Sequence, residues 1–361
     1  MNGPKTDWLL SAPNSATNKK AQTPLFPFLA RLIRGEDLSE TEAAEFFVAL
    51  TGLNADQVQI AGTLAALTAK GETSEELAGM ASVMRSSALS ISTDDRSVVD
   101  ISGTGSSTAK TFNISTAAAL VAAGAGLTVA KQCNRGVTSR AGSADVLGEL
   151  GVKVAGERSS AQAALDGTGL CFLFAPKFHP SLRRVGDVRR SLGIRTCLNV
   201  LGILANPAGV KRQIAGVWHP SLVEPVARAL SHLGTDRSWV VHGEDGLDEL
   251  TIAAPNQVAE ISGQSINKFK VSANDFGLKG GNIDHLRTTT AKESARIIRD
   301  VLGSKRRDEA RSLVVLNAAA ALLIGGLSRD PMHAARLAEQ SIDSGQAQNK
   351  LERLVQSTNK K

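Results

Sequence analysis

The sequence predicts an α/β protein in which a small α-helical domain joins a larger α/β domain built on a mostly parallel central sheet. Three observations carry this. Residues 25–94 have helical texture and almost no strand signal; short apolar runs then alternate with helical segments; and 361 residues with 42% hydrophobic content exceed the ~100–200 of one ordinary domain.

The first helices announce themselves by their caps. "LSETEAAEFFVALTGL" pairs Ser39 with Glu42 in a capping box and places Ala43, Phe46, Phe47 and Leu50 at helical spacing. "NADQVQIAGTLAALTAKGE" starts at an Asn/Asp cap and ends at Gly71, and "TSEELAGMASVMRSSA" starts at Thr73 or Ser74. After "STDDRS" the runs "VVDIS", "LTVAKQ", "LCFLFA", "QIAGVW" and "SWVVHG" read as buried strands, with helices such as "NISTAAALVAAGAG" and "PSLVEPVARALSHLG" between them. Residues 181–206 lack a strand and are expected to rejoin the helical domain, leaving 95–180 and 207–361 as the α/β domain. "QVAEIS" and "KFKVSA" are weaker strand signals. "DEARSLVVLNAAAALLIGGL" is apolar on most faces, which implies a buried helix or a subunit interface.

Composition excludes several classes. No apolar run approaches a membrane span, so no membrane partner is expected. Residues 1–24 are polar and rich in Pro, Ser, Asn and Lys, read as a disordered tail rather than a signal peptide. Three cysteines (Cys133, Cys171, Cys197) are too few and too scattered for a disulfide framework or a zinc site, which fits a cytoplasmic protein. A net charge of +6 suits a handler of anions, whether phosphorylated metabolites or nucleic acid.

Three clusters carry chemistry. In "DISGTGSSTAKTFNIST", Gly103 and Gly105 follow a strand, and Asn113, Ser115 and Thr116 open the next helix. Bare backbone beside a helix N-terminus accommodates a bulky anion such as a diphosphate. The third glycine of a dinucleotide fingerprint and the Gly-Lys-Ser/Thr of a Walker loop are both missing. The donor-rich "AKQCNRGVTSRAGS", with Lys131, Asn134, Arg135 and Ser143, reads as a second anion cradle, and adjacent Asp248 and Glu249 in "VVHGEDGLDEL" suit Mg²⁺ shared with substrate phosphates.

Together with "FLFAPKFHPSLRRVGDVRRSLGIRT" and "LGILANPAG", these blocks resemble, in order and spacing, those of the anthranilate phosphoribosyltransferase family. The resemblance implies a type II nucleoside phosphorylase-like fold and a homodimer joined through the helical domains. It also implies Mg²⁺-dependent transfer of phosphoribose from phosphoribosyl pyrophosphate (PRPP) to the amine of anthranilate, with release of pyrophosphate, in tryptophan biosynthesis. By the same resemblance Gly103, Gly105, Ser106, Ser107, Thr111, Asn113, Ser115, Thr116, Lys131, Ser139 and Ser143 hold PRPP. Gly103, Gln132, Asn134, His179, Arg189 and Gly202 form the acceptor pocket, with Arg189 facing the carboxylate; Ser115, Asp248 and Glu249 hold Mg²⁺. No side chain is assigned as acid or base.

The pattern departs from the family at three places. Ser106 and Ser107 stand where it has Gly-Asp, Gln132 and Cys133 where it has His-Gly, and Ile203 where it has Pro. These departures keep open a paralogue with another aromatic acceptor. A catalytically impaired, nucleic-acid-binding relative and a nucleoside phosphorylase of the same architecture also stay open on the sequence.

Overall fold

A computed structural model describes residues 23–360 except 96, 106, 108, 110, 137–141 and 155. The expected N-terminal tail falls almost wholly outside this set. Helices α1 (Phe26–Ile33), α2 (Glu40–Thr51), α3 (Gln57–Lys70) and α4 (Ser74–Ser86) come first. The caps are those expected: Ser39 with Glu42 and Thr73 with Glu76 form capping boxes, and the Asp56 carboxylate accepts the amides of Val58 and Gln59.

Strands and helices then alternate: β1 (Val99–Gly103), α5 (Ile114–Gly124), β2 (Val129–Cys133), α6 (Ser143–Glu149), α7 (Arg158–Thr168) and β3 (Leu170–Phe174). The region without a strand forms α8 (Ala175–Phe178), α9 (Arg183–Leu192) and α10 (Cys197–Leu204). Then follow β4 (Arg212–Gly216), α11 (Val223–His232), β5 (Arg237–Gly243), β6 (Asn256–Ser262) and β7 (Ser265–Val271). The chain closes with α12 (Ala291–Leu302), α13 (Glu309–Gly325), α14 (Pro331–Asp343) and α15 (Gln346–Asn359).

The sheet has the order β3-β2-β1-β4-β5-β6-β7; the first five strands are parallel and the last two are antiparallel. The two weak strand signals thus form a full hairpin. Their weakness has a physical cause: β7 is an edge strand with most side chains exposed, so burial imposes no alternation on it.

Side-chain alternation divides the sheet between two cores. Ile214, Trp239, Val241 and Val258 join α5 and α13 on one face, whereas Ala215, Val240, Ala259 and Ile261 join α11, α4 and α10 on the other. The second core also takes in α1, α2, α3 and α9, so residues 181–206 do pack with the N-terminal helices. Nearly every residue of α13 is buried inside this one chain, which decides between the two expectations for that helix. Among the described residues no helix is long and apolar enough to cross a membrane.

Candidate active site

Strand order reverses between β1 and β4, the place where open parallel sheets bind ligands. Gly103 ends β1, Gly216 ends β4, and the two are paired. The loop after β5 lies directly over them. A Cβ on Gly216 would stand 1.8 Å from the Asp248 carbonyl oxygen, and one on Gly103 2.6 Å from it. Missing side chains at two strand ends therefore let the backbone of Asp248 settle onto the switch point. The Thr104 hydroxyl donates to Asp248 Oδ2 at 2.8 Å and fixes the carboxylate there.

Glu249 reaches from the same loop to the start of α5, where its Oε1 accepts the Ser115 amide at 3.1 Å. Part of the positive end of α5 is thus spent on a carboxylate, where the sequence had suggested a direct diphosphate contact. The other oxygen, Oε2, is buried without a hydrogen-bond partner. Burial, reinforced by the neighbouring Asp248 charge, pushes the Glu249 carboxyl up to about 7. Two adjacent carboxylates and the Ser115 hydroxyl form an all-oxygen donor set whose crowding a divalent cation would relieve. The residues fit Mg²⁺.

From this floor a cleft opens toward α4, α9 and α10, enclosing roughly 1030 Å³ of space, solvent mouth included. It brings together Gly103, Gly105, Asn113, Ser115, Lys131, Gln132, Asn134, Ser143, Arg189, Gly202, Asp248 and Glu249. Lys131 lies within β2 rather than in the loop after it, and although the residue is largely buried it lines the cleft. In the second cradle the two described ends of the loop, 134–136 and 142–145, are held together. The Ser143 hydroxyl accepts the Asn134 amide at 3.2 Å, and Asp145 Oδ2 accepts the amides of Gly136 and Gly142 at 3.1 and 2.9 Å. A Cβ on Gly142 would lie 2.3 Å from backbone atoms of Arg135 and Gly136.

Arg189, a half-buried residue of α9, also lines the cleft. Burial lowers its pKa, yet a guanidinium stays cationic at neutral pH. Gln132 Oε1 is buried without a partner, and Cys133 and Ile203 also line the cleft, so the departures from the family pattern at these positions do face the ligand space. Burial pushes the Cys133 thiol up to about 12, which leaves it protonated and unreactive.

Other expected site residues lie elsewhere. Ser107 turns its hydroxyl to the carbonyls of Ala109 and Gly246, at 2.7 and 2.9 Å, and does not line the cleft. Thr111 borders a separate small cavity, and Thr116 is fully buried in the first turn of α5. His179 sits behind the wall, where burial pushes its imidazole down to about 4 and keeps it neutral. Ser106 and Ser139 lie outside the described residues. Sequence reading missed Ser102, Thr104, Met84, Leu198 and Asn199. Thr104 stands between the two glycines of the turn and could have been noticed; Met84, on a helix that ends 97 positions before α9 begins, gave no local signal.

Residues 95–348 match the family described as "Glycosyl transferase family, a/b domain", and residues 26–88 its helical bundle domain. The anthranilate phosphoribosyltransferase of Clostridium kluyveri is 42% identical over 331 residues, covering 92% of this chain and 98% of its own. That of Moorella thermoacetica is 45% identical over 327 residues, covering 91% and 96%. The crystal structure of the Thermus thermophilus enzyme superposes with a TM-score of 0.87 at 38% identity, covering 92% of this chain and 99% of that one. The Saccharomyces cerevisiae enzyme in complex with PRPP and Mg gives 0.85 at 26% identity, covering 94% and 99%. With both domains matched and relatives aligned almost end to end, the chain belongs to the anthranilate phosphoribosyltransferase family.

Proposed function

We propose that the chain transfers phosphoribose from PRPP to the amine of anthranilate and releases pyrophosphate. The observation that carries this reading is the convergence of Ser115, Lys131, Asp248, Glu249 and Arg189 on one cleft. The first four supply what an activated sugar diphosphate needs, and Arg189 offers a planar fork to a carboxylate. The nitrogen lone pair attacks the ribose anomeric carbon as the carbon–oxygen bond to pyrophosphate breaks. The electron pair of that bond leaves with pyrophosphate, and the nitrogen then releases a proton.

Ser115, Asp248 and Glu249 would hold Mg²⁺, which when bound offsets the negative charge of the departing pyrophosphate. Lys131 holds a diphosphate oxygen from below, and Gly105, where a Cβ would meet nothing within 4 Å, leaves room for its approach. Arg189 fixes the acceptor carboxylate so that the amine is presented to the sugar. Gln132, Asn134 and Gly202 line that side, where the described residues include no carboxylate or free imidazole. An aromatic amine is nucleophilic without a base, and positioning supplies most of the acceleration.

The helical segments 25–94 and 181–206 act as one domain, supported by their shared core. A homodimer through that domain is supported by Ile33, Val48, Leu53 and Val58, apolar side chains left 45%, 58%, 85% and 78% exposed on α1, on α2, in the turn after α2 and on α3. Three free, buried cysteines are compatible with a reducing cytoplasm. A coupled pyrophosphate assay with PRPP, Mg²⁺ and a panel of amino-benzoates tests the activity. Release with anthranilate supports it. Release only with another aryl amine would move the acceptor assignment to the paralogue reading, which Gln132, Cys133 and Ile203 on the cleft wall favour.

A further inference from the structure

Beside the cleft lies a buried carboxyl group that the mechanism above does not use. Asp100, the second residue of β1, is 1% exposed and does not line the cleft. Its Oδ1 accepts the Ser102 hydroxyl at 2.6 Å and its Oδ2 accepts the Asn206 amide at 2.7 Å; the Asn206 amide also donates to the Ala130 carbonyl at 2.8 Å. Lys131 approaches the same hydroxyl from β2. Its Nζ donates to the Ile101 carbonyl at 2.5 Å and to Ser102 Oγ at 3.4 Å.

We propose that Asp100 is a positioning residue for diphosphate binding, acting on the substrate only through Ser102 and Lys131. This rests on the PRPP reading above. The geometry sets a polarity. Because Asp100 takes the Ser102 proton, a hydroxyl lone pair faces Lys131, and two of the three ammonium donors are directed at β1. Among the described residues the third has no hydrogen-bond acceptor and is left for a ligand in the cleft. Burying a lone carboxylate costs several kcal/mol, so its persistence calls for an opposite charge nearby. Burial raises the carboxyl pKa of Asp100 and lowers the ammonium pKa of Lys131, and for each the charge of the other is the largest opposing influence. Asp248 and Glu249 also attract Lys131, but with Mg²⁺ held between them their charge would be offset by the cation. Asp100 remains.

The test is a double-mutant cycle on PRPP binding, measured by titration calorimetry with Mg²⁺ and without acceptor, so that turnover is not required. Asp100→Asn in the wild-type background is expected to weaken PRPP about tenfold or more, and in a Lys131→Met background less than about twofold. An equal loss in both backgrounds means that Asp100 acts on the fold generally and overturns the proposal, as does unchanged binding in D100N. If D100N does not fold, Ser102→Ala enters the same cycle with the same criteria, because it removes the link and keeps the carboxylate. Wild-type protein that binds no PRPP would remove the functional reading and this inference together, whereas wild-type binding with an uncoupled cycle removes this inference alone.

Discussion

Substitution of Gly216 by alanine isolates the role of the switch-point glycines. The backbone there is free of the left-handed conformation, so alanine introduces no intrinsic strain, and the effect is one of space alone. The new Cβ would lie 1.8 Å from the Asp248 carbonyl oxygen. Reaching an ordinary contact of ~3.5 Å requires a displacement of about 1.7 Å. Strand β4 cannot supply it, since Gly216 is paired with Gly103 on one side and Val241 on the other. The loop carrying Asp248 and Glu249 must move instead. A misplacement of about 1 Å in a reacting constellation costs on the order of 10²-fold, or about 2.7 kcal/mol. G216A is therefore expected to lose at least about a hundredfold in kcat/KM for PRPP and to need more Mg²⁺ for half-maximal rate. Its melting temperature should fall modestly, overpacking costing roughly 1–3 kcal/mol. Gly148→Ala is the control: it is exposed in α6 with nothing within 4 Å, and should be neutral or slightly stabilising. Wild-type kcat/KM and wild-type Mg²⁺ dependence in G216A would refute the claim that the bare strand ends place the loop of Asp248 and Glu249 for catalysis.

Four further outcomes are expected. Glu249 titrates near 7 in the metal-free fold against about 4.5 when unfolded, so the native state holds the extra proton between these values. Stability without Mg²⁺ should accordingly be complete below pH 4.5 as far as this group is concerned and fall as pH rises to about 7, by on the order of 3 kcal/mol; thermal melts of wild type and Glu249→Gln at pH 5.5 and 8 check it, and a loss of equal size in E249Q would exclude Glu249 as the source. Arg189→Ala should raise KM for anthranilate at least tenfold with PRPP affinity unchanged, and an unaltered KM would remove the carboxylate contact. The thiols of Cys133, Cys171 and Cys197 are buried and pushed up by burial, so none should react with Ellman's reagent at pH 8 until guanidinium exposes all three. If the proposed homodimer forms through Ile33, Val48, Leu53 and Val58, wild type should sediment as a dimer and Leu53→Glu as a monomer with little change in subunit melting; a monomeric wild type or an unchanged L53E dimer would overturn that interface.

Much of this molecule follows from local rules that operate along the chain. Ser39, Asp56 and Thr73 start helices because their side chains accept amides that no preceding turn can satisfy. The buried strands are legible because both faces of a covered sheet exclude water, and the Gly-Thr-Gly turn because only a bare backbone permits so close an approach. By contrast, β7 is set by its pairing with β6, and its composition alone signals it weakly. The site has the same division. Its residue types are written in three separate loops, but only the folded sheet brings Asp248 over Gly103 and Gly216, turns Glu249 to Ser115 and separates Ser107 from the cleft. The Asp100–Ser102–Lys131 relay is invisible in the sequence for the same reason: it joins neighbouring strands whose pairing, like every long-range contact, is decided by packing and not by proximity along the chain.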